Sequence, residues 1–177
     1  MRDRLIRQIR DVPDFPKPGI VFKDITPILS DGETFSATVD ALRDLVVEAA
    51  GERGVDRIAG IESRGFIFGA ALARRMGVGF IPMRKPGKLP WKTRRADYEL
   101  EYGSDALEVH EDAAKPGERV AIIDDLLATG GTASAAASLL SELGAELLGL
   151  FFVIELSFLE GRTRLPDQPV FSLVAFD

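Results

Sequence analysis

The sequence contains no cysteine. That absence excludes disulfides, thiol nucleophiles and cysteine-bound metals. Histidine is reduced to one residue, His110, so a histidine-rich metal centre cannot be built, and the lone residue is assigned no role. No apolar run is long enough to span a bilayer; the dense stretch Leu147–Ile154 falls far short. Met1–Arg10 is charged and amphipathic, unlike a secretory leader. The expected location is the cytoplasm, with no membrane partner. Basic residues are outnumbered, 22 Lys plus Arg against 28 Asp plus Glu, for a net charge of −6. Such a chain is not expected to bind nucleic acid in general. Two phosphate signatures are missing as well. No G-x-x-x-x-G-K-[ST] and no G-x-G-x-x-G occurs, so triphosphate loops and dinucleotide folds lack support.

What is present suits one soluble domain: 177 residues, 46% hydrophobic and 28% charged. Leu5, Ile6 and Ile9 share one face of a short helix. The Pro- and Gly-rich stretch Asp11–Pro27 reads as an ordered loop. Phe35, Val39, Leu42, Leu45 and Ala49 follow helical spacing. Strands are expected at Ile58–Ile61, Phe80–Met83, 120–124, 147–154 and 170–175. Helices are expected from about Phe66 to Arg75 and at Ala133–Leu143. Alternation on both sides of Gly103 predicts a hairpin. Helices alternating with apolar strands indicate an α/β fold around a central parallel sheet.

The most telling stretch is Val120-Ala121-Ile122-Ile123-Asp124-Asp125-Leu126-Leu127-Ala128-Thr129-Gly130-Gly131-Thr132. A buried strand ends in two carboxylates, and a Thr/Gly turn then opens a helix. Ligands of open α/β sheets bind at the carboxyl ends of strands. Amide N–H groups at a helix start favour an anion. Two acids would repel a phosphate unless ribose hydroxyls or a divalent cation stood between them. A sugar phosphate with free hydroxyls fits this pattern best.

Glu62-Ser63-Arg64-Gly65 is a second strand-to-helix turn, with a guanidinium suited to phosphate. Arg84 to Arg95 carries six cations and no acid, interleaved with Pro86 and Gly87. A basic loop on an acidic chain suggests a local polyanion. Val21-Phe22, after Pro18-Gly19, offers an aromatic face and a backbone edge to a planar base. The residue pattern does not separate Glu99 from Glu101 as a proton-handling acid.

Taken together, Asp124–Thr132, Phe15–Asp24, Glu62–Gly69, Arg84–Pro90 and Leu100–Gly103 resemble the type I phosphoribosyltransferases, and within them the adenine-specific branch. The resemblance runs in order from about Phe15 to the C-terminus. It implies one phosphoribosyltransferase domain over 1–177, with 1–30 and 155–177 contributing to a hood and 84–110 forming a flexible loop. It implies transfer of a phosphoribosyl group from 5-phosphoribosyl diphosphate to adenine. The phosphoribosyl group would be held by Asp124, Asp125, Ala128, Thr129, Gly130, Gly131 and Thr132. The pyrophosphate would meet Ser63, Arg64, Arg84, Lys85 and Lys88, and adenine Val21, Phe22, Lys23 and Leu159. Glu101, Asp124 and Asp125 would be the catalytic acids. Mg2+ would ride on the diphosphate and water, with no dedicated protein metal site. A homodimer is implied on the same ground. Two departures stand out: Lys23 replaces a usual arginine, and Pro90–Arg95 is unusually basic and carries Trp91. The alternatives are a phosphoribosyltransferase for another purine, or a non-enzymatic sensor of 5-phosphoribosyl diphosphate.

Overall fold

The structure, a computed structural model, describes residues 1–100, 103–165 and 167–177; the side chains of 99, 100, 103 and 104 fall outside the description. In chain order the elements are α1 (Arg2–Gln8), β1 (Arg10–Pro13), β2 (Val21–Asp24), α2 (Thr26–Ser30), α3 (Gly32–Ala50), β3 (Arg57–Ile61), α4 (Arg64–Met76), β4 (Gly79–Met83), β5 (Thr93–Leu100), β6 (Gly103–His110), β7 (Arg119–Leu127), α5 (Gly131–Glu142), β8 (Glu146–Leu156) and β9 (Val170–Phe176). Five of the strands form one sheet in the order β4-β3-β7-β8-β9, and every neighbouring pair is parallel. The central strand β7 is buried along most of its length, as a run flanked by helices on both faces must be.

Two apolar clusters fill the two faces of this sheet. Leu42, Val46, Phe68, Leu72, Ile123, Phe151 and Val153 belong to one. Ile61, Met83, Ile122, Ala136, Leu139, Leu140 and Phe152 belong to the other. Alternation explains the split, since Ile122 and Ile123 point to opposite faces of β7.

The two ends of the sheet differ in chemistry. At the amino ends of the strands, Arg57 pairs with Glu118 and Arg119 with Glu146. The Arg119 guanidinium also donates to the Ala50 carbonyl at 2.9 Å. These ion pairs clamp strand starts together, at the opposite end of β7 from its acid pair.

Glu118 gives this clamp a measurable pH signature. The Arg57 guanidinium, helped by the Lys115 N–H, holds its carboxyl down to about 2 from an ordinary 4.5. A depressed folded-state value means stability present above 4.5 and lost as pH falls toward about 2. Glu118→Gln should therefore cost about 1 kcal/mol at pH 7, in keeping with a partly exposed ion pair. Urea melts at neutral and strongly acid pH check this: the difference from wild type should shrink in acid. A deficit that persists undiminished would remove the charge from the explanation.

The small elements depart from the sequence reading. The segment expected as a loop contains β1 and β2, which pair antiparallel from Arg10↔Asp24 to Pro13↔Val21. Four-residue strands interrupted by Pro13, Pro16 and Pro18 leave no periodicity to read. The hairpin strand β5 begins at Thr93, earlier than its alternation suggested, because Arg94 and Arg95 mask the pattern. Its base is anchored in the second cluster through Tyr98, Leu107 and Val109. Of residues 155–177, β9 belongs to the main sheet, while short 3-10 turns at Ser157–Leu159 and Gly161–Arg164 connect β8 to it. Among the described residues, no helix is long and apolar enough to cross a membrane.

Candidate active site

β7 runs on through both acids, so Asp124 and Asp125 lie on opposite faces of a strand rather than in the loop after it. The Asp125 N–H donates to Asp124 Oδ1 at 2.8 Å. Asp125 is buried, 3% exposed, and its Oδ2 lies 2.9 Å from Arg64 Nε. That contact lacks hydrogen-bond alignment, which leaves Oδ2 a buried acceptor without a hydrogen-bonding partner. Burial pushes the Asp124 carboxyl well above its ordinary range, and the charge of Asp125 adds to this. Burial also raises Asp125, against the pull of the Arg64 guanidinium. Two desolvated acids side by side, one with a free acceptor, are poised for hydroxyl donors or cationic charge.

The acids open onto a cleft of about 340 Å³. Its walls are Phe22 from β2, Ile61 at the end of β3, Glu62, Ser63 and Arg64 at the start of α4, Lys85 after β4, and Asp124, Asp125, Leu126 and Thr132. A second cavity of about 160 Å³ shares Asp124, Leu126 and Thr132 with it. That cavity is lined by Ala128, Thr129, Gly130 and Gly131, the turn that starts α5. The helix begins at Gly131, two residues before the expected start, and carries no side-chain cap and no acid in its first turn. Its leading N–H groups are thus left for an external anion. Gly130 adopts φ +82°. A Cβ there, or on Gly161, would strike backbone oxygen of the other strand of chain, since Gly161 lies against Ala128–Gly130. The 3-10 turn after β8 therefore packs directly on the anion turn. Sequence reasoning missed Gly161, and only its close approach reveals it.

Arg64 does more than point at the cleft. Its guanidinium carbon lies 4.9 Å from the Phe22 ring centroid while its Nε faces Asp125. One side chain thereby joins the aromatic of β2 to the acid pair of β7. Phe22 also packs edge-on against Phe15, with centroids 5.2 Å apart. Val21 is half exposed. Its register partner Pro13 has no N–H, so the Val21 carbonyl accepts no ladder bond from it. Lys23 pairs with Asp11 at 2.6 Å and lies 4.1 Å from the Phe176 ring centroid, away from the cleft lining. Leu159 packs against the first core cluster.

Three donors of the basic loop converge on Glu62, while Glu108 accepts from the Gly87 N–H at 3.0 Å. Glu62 Oε2 accepts from Arg84 Nε at 3.2 Å and from the Lys85 N–H at 3.0 Å, while Lys88 pairs with Oε1. Lys85 itself reaches Tyr98 and Asp105 of the hairpin. Sequence reading quoted Glu62 within its turn and gave it no role; its reach to residues 23 and 26 positions on is a tertiary fact. Glu101 lies outside the described residues. Among those described, no group of three or more His, Cys, Asp or Glu side chains could hold a metal ion.

The central strand thus carries an acid pair near its carboxyl end, and the turn into an uncapped helix follows two leucines later. The family described as "Phosphoribosyl transferase domain" matches residues 32–168, so the fold is that of a phosphoribosyltransferase. Relatives sharpen this. An adenine phosphoribosyltransferase of Desulfitobacterium hafniense is 58% identical over 170 residues, covering 96% of each chain. One from Anaeromyxobacter dehalogenans is 58% identical over 176 residues, 99% of this chain and 100% of that protein. The crystal structure of the Saccharomyces cerevisiae enzyme, complexed with adenine and an imino-altritol bisphosphate, superposes with TM-score 0.94 at 46% identity, over 98% of both chains. That of the Thermoanaerobacter pseudethanolicus enzyme gives 0.93 at 50%, covering 99% and 100%. The chain belongs to the adenine phosphoribosyltransferase family.

Proposed function

We propose that this chain transfers the 5-phosphoribosyl group from 5-phosphoribosyl diphosphate to adenine, giving AMP and pyrophosphate in purine salvage. The observation that carries the reading is the acid pair Asp124–Asp125 near the end of β7, with two residues between it and the turn 128–132. The bond from the ribose C1 to the diphosphate breaks, a C1–N bond to adenine forms, and the ring proton departs. Asp124 and Asp125 accept from the ribose hydroxyls and offset positive charge developing on the sugar. Ala128 to Thr132 hold the 5-phosphate. Ser63, Arg64, Arg84, Lys85 and Lys88 serve the leaving pyrophosphate. Phe22 stacks on adenine, contributing about 1–3 kcal/mol, and the Val21 backbone reads its edge. Leu159 is assigned to the opposite face, and Lys23 acts at one remove by fixing β2 to Asp11.

Mg2+, bound mainly through the diphosphate and water, would offset the diphosphate charge, and the oxygen donors of Asp124 and Asp125 would suit its water shell. Glu101, on the loop 84–110, relays the adenine proton. The hood is assigned to 1–30 and 155–177. The working form is a homodimer in the cytoplasm. Mixing the protein with adenine, 5-phosphoribosyl diphosphate and Mg2+ should release AMP and pyrophosphate in equal amounts. No AMP above a protein-free control would overturn the reading.

A further inference from the structure

Glu62 sits in the cleft wall with its side chain only 10% exposed, and three donors converge on it. Two of these belong to Arg84 and Lys88, the cations assigned to the pyrophosphate. The third is the Lys85 N–H, which fixes the start of the basic loop to the same carboxylate. Burial alone would raise its pKa, but Lys88, the Lys85 N–H and Arg84 outweigh that and hold it below the ordinary range. The carboxylate is therefore charged at neutral pH. An anion entering the cleft must take the same donors that Glu62 already holds. A guanidinium or ammonium desolvated by one carboxylate loses little when a second anion replaces it, and regains that partner when the anion leaves.

We infer that Glu62 is a positioning residue that parks Arg84 and Lys88 between turnovers and competes with pyrophosphate for them, so that product is released rather than trapped. This rests on the assignment of Arg84 and Lys88 to the pyrophosphate. Without Glu62, Lys88 would lose its carboxylate partner and the Arg84 guanidinium would keep its bond to the Lys88 carbonyl at 3.1 Å, so their full charge would cling to the product. The lowered charge in Glu62→Gln preserves the shape and an acceptor for the Lys85 N–H. One like charge removed from beside an anion at an effective dielectric between protein and water changes its affinity by roughly tenfold.

Calorimetric titration with inorganic pyrophosphate in Mg2+ tests this without need for turnover. Glu62→Gln should bind it about tenfold more tightly than wild type, and Glu62→Asp, which keeps the charge, should stay close to wild type. In steady state, Glu62→Gln should lower kcat and the KM for 5-phosphoribosyl diphosphate together, leaving kcat/KM nearly unchanged, as slow product release requires. Weaker or unchanged pyrophosphate binding by Glu62→Gln would overturn the inference, because a merely structural acid loses affinity when neutralised. A wild-type measurement stands beside the variants: the carbon-13 carboxylate signal of Glu62 should move when pyrophosphate is added, and a fixed signal would equally overturn the inference. Arg84→Gln separates the two levels. If it binds pyrophosphate as wild type does, the assignment of the cations fails; if it binds weakly while Glu62→Gln behaves as wild type, the parking role alone fails.

Discussion

Asp125→Asn should reduce turnover roughly 100- to 1,000-fold, the loss typical of removing one preorganised charge-stabilising group, and Asp124→Asn should do the same. Their effects on stability should differ in size. Asp124 is desolvated beside a second acid, so the folded state disfavours its charge. With a folded-state value above the ordinary 3.8, stability falls as pH rises from that ordinary value through the raised one. An amide at Asp124 removes that burden and can still accept from the Asp125 N–H. Asp124→Asn should thus gain about 1 kcal/mol at neutral pH while losing activity, a stability-for-function exchange. Asp125→Asn should gain less, since the Arg64 guanidinium already offsets part of the cost of burying that charge and would lose its counter-ion. Thermal melts and turnover measured on the same samples check both halves. Near-normal turnover in both variants would remove the ribose role; a larger gain in Asp125→Asn than in Asp124→Asn would reverse the electrostatic reading.

Gly65→Ala should be nearly as damaging, although it touches no ligand. Gly65 is the second residue of α4, packed where that helix crosses β7. A Cβ there would lie 2.7 Å from Asp124 Oδ1 and 2.8 Å from the Ile123 carbonyl oxygen. Backbone cannot yield as a flexible side-chain tip can, so either α4 lifts or the acid pair shifts. A displacement of about 1 Å in a group that orients the reacting sugar costs on the order of 100-fold in rate. The Arg64 guanidinium, one residue earlier, would be moved from Asp125 and Phe22 at the same time. Crystallography of the variant together with kcat/KM should show a displaced Asp124 and the rate loss. Wild-type kinetics would mean the junction is softer than its packing implies.

Much of this site is legible in the linear sequence because it is locally encoded. Val120–Ile123 is apolar enough to be a central strand, and the acid pair and then two threonines and two glycines all follow within nine residues, so strand, charge and turn fall in one window. The Ser63–Gly65 turn is readable for the same reason. The Cβ-free approach of Gly65 to Asp124, the contact of Gly161 with the anion turn, and the convergence of Arg84 and Lys88 on Glu62 are not readable. Each joins segments tens of residues apart, and nothing in either segment's own pattern marks the other. The β1–β2 pair escaped for a different reason: prolines hide strands too short to show a period. Arg64 was placed in the correct turn, but its pairing with Asp125 needed the third dimension.

The preference for adenine is the sharpest consequence of the site. Adenine presents an exocyclic amine donor beside an unprotonated ring nitrogen, whereas hypoxanthine and guanine present an acceptor beside a donor. In the proposed reading, backbone C=O and N–H groups around Val21 would suit the first edge and mismatch the second. Two mismatched buried polar groups at about 1–3 kcal/mol each give roughly 100-fold or greater discrimination. The decisive measurement supplies equal adenine, hypoxanthine and guanine with limiting 5-phosphoribosyl diphosphate and Mg2+, and resolves the nucleotide products by mass. AMP should exceed IMP and GMP by about 100-fold or more; comparable amounts of IMP or GMP would contradict adenine phosphoribosyl transfer as the activity of this chain.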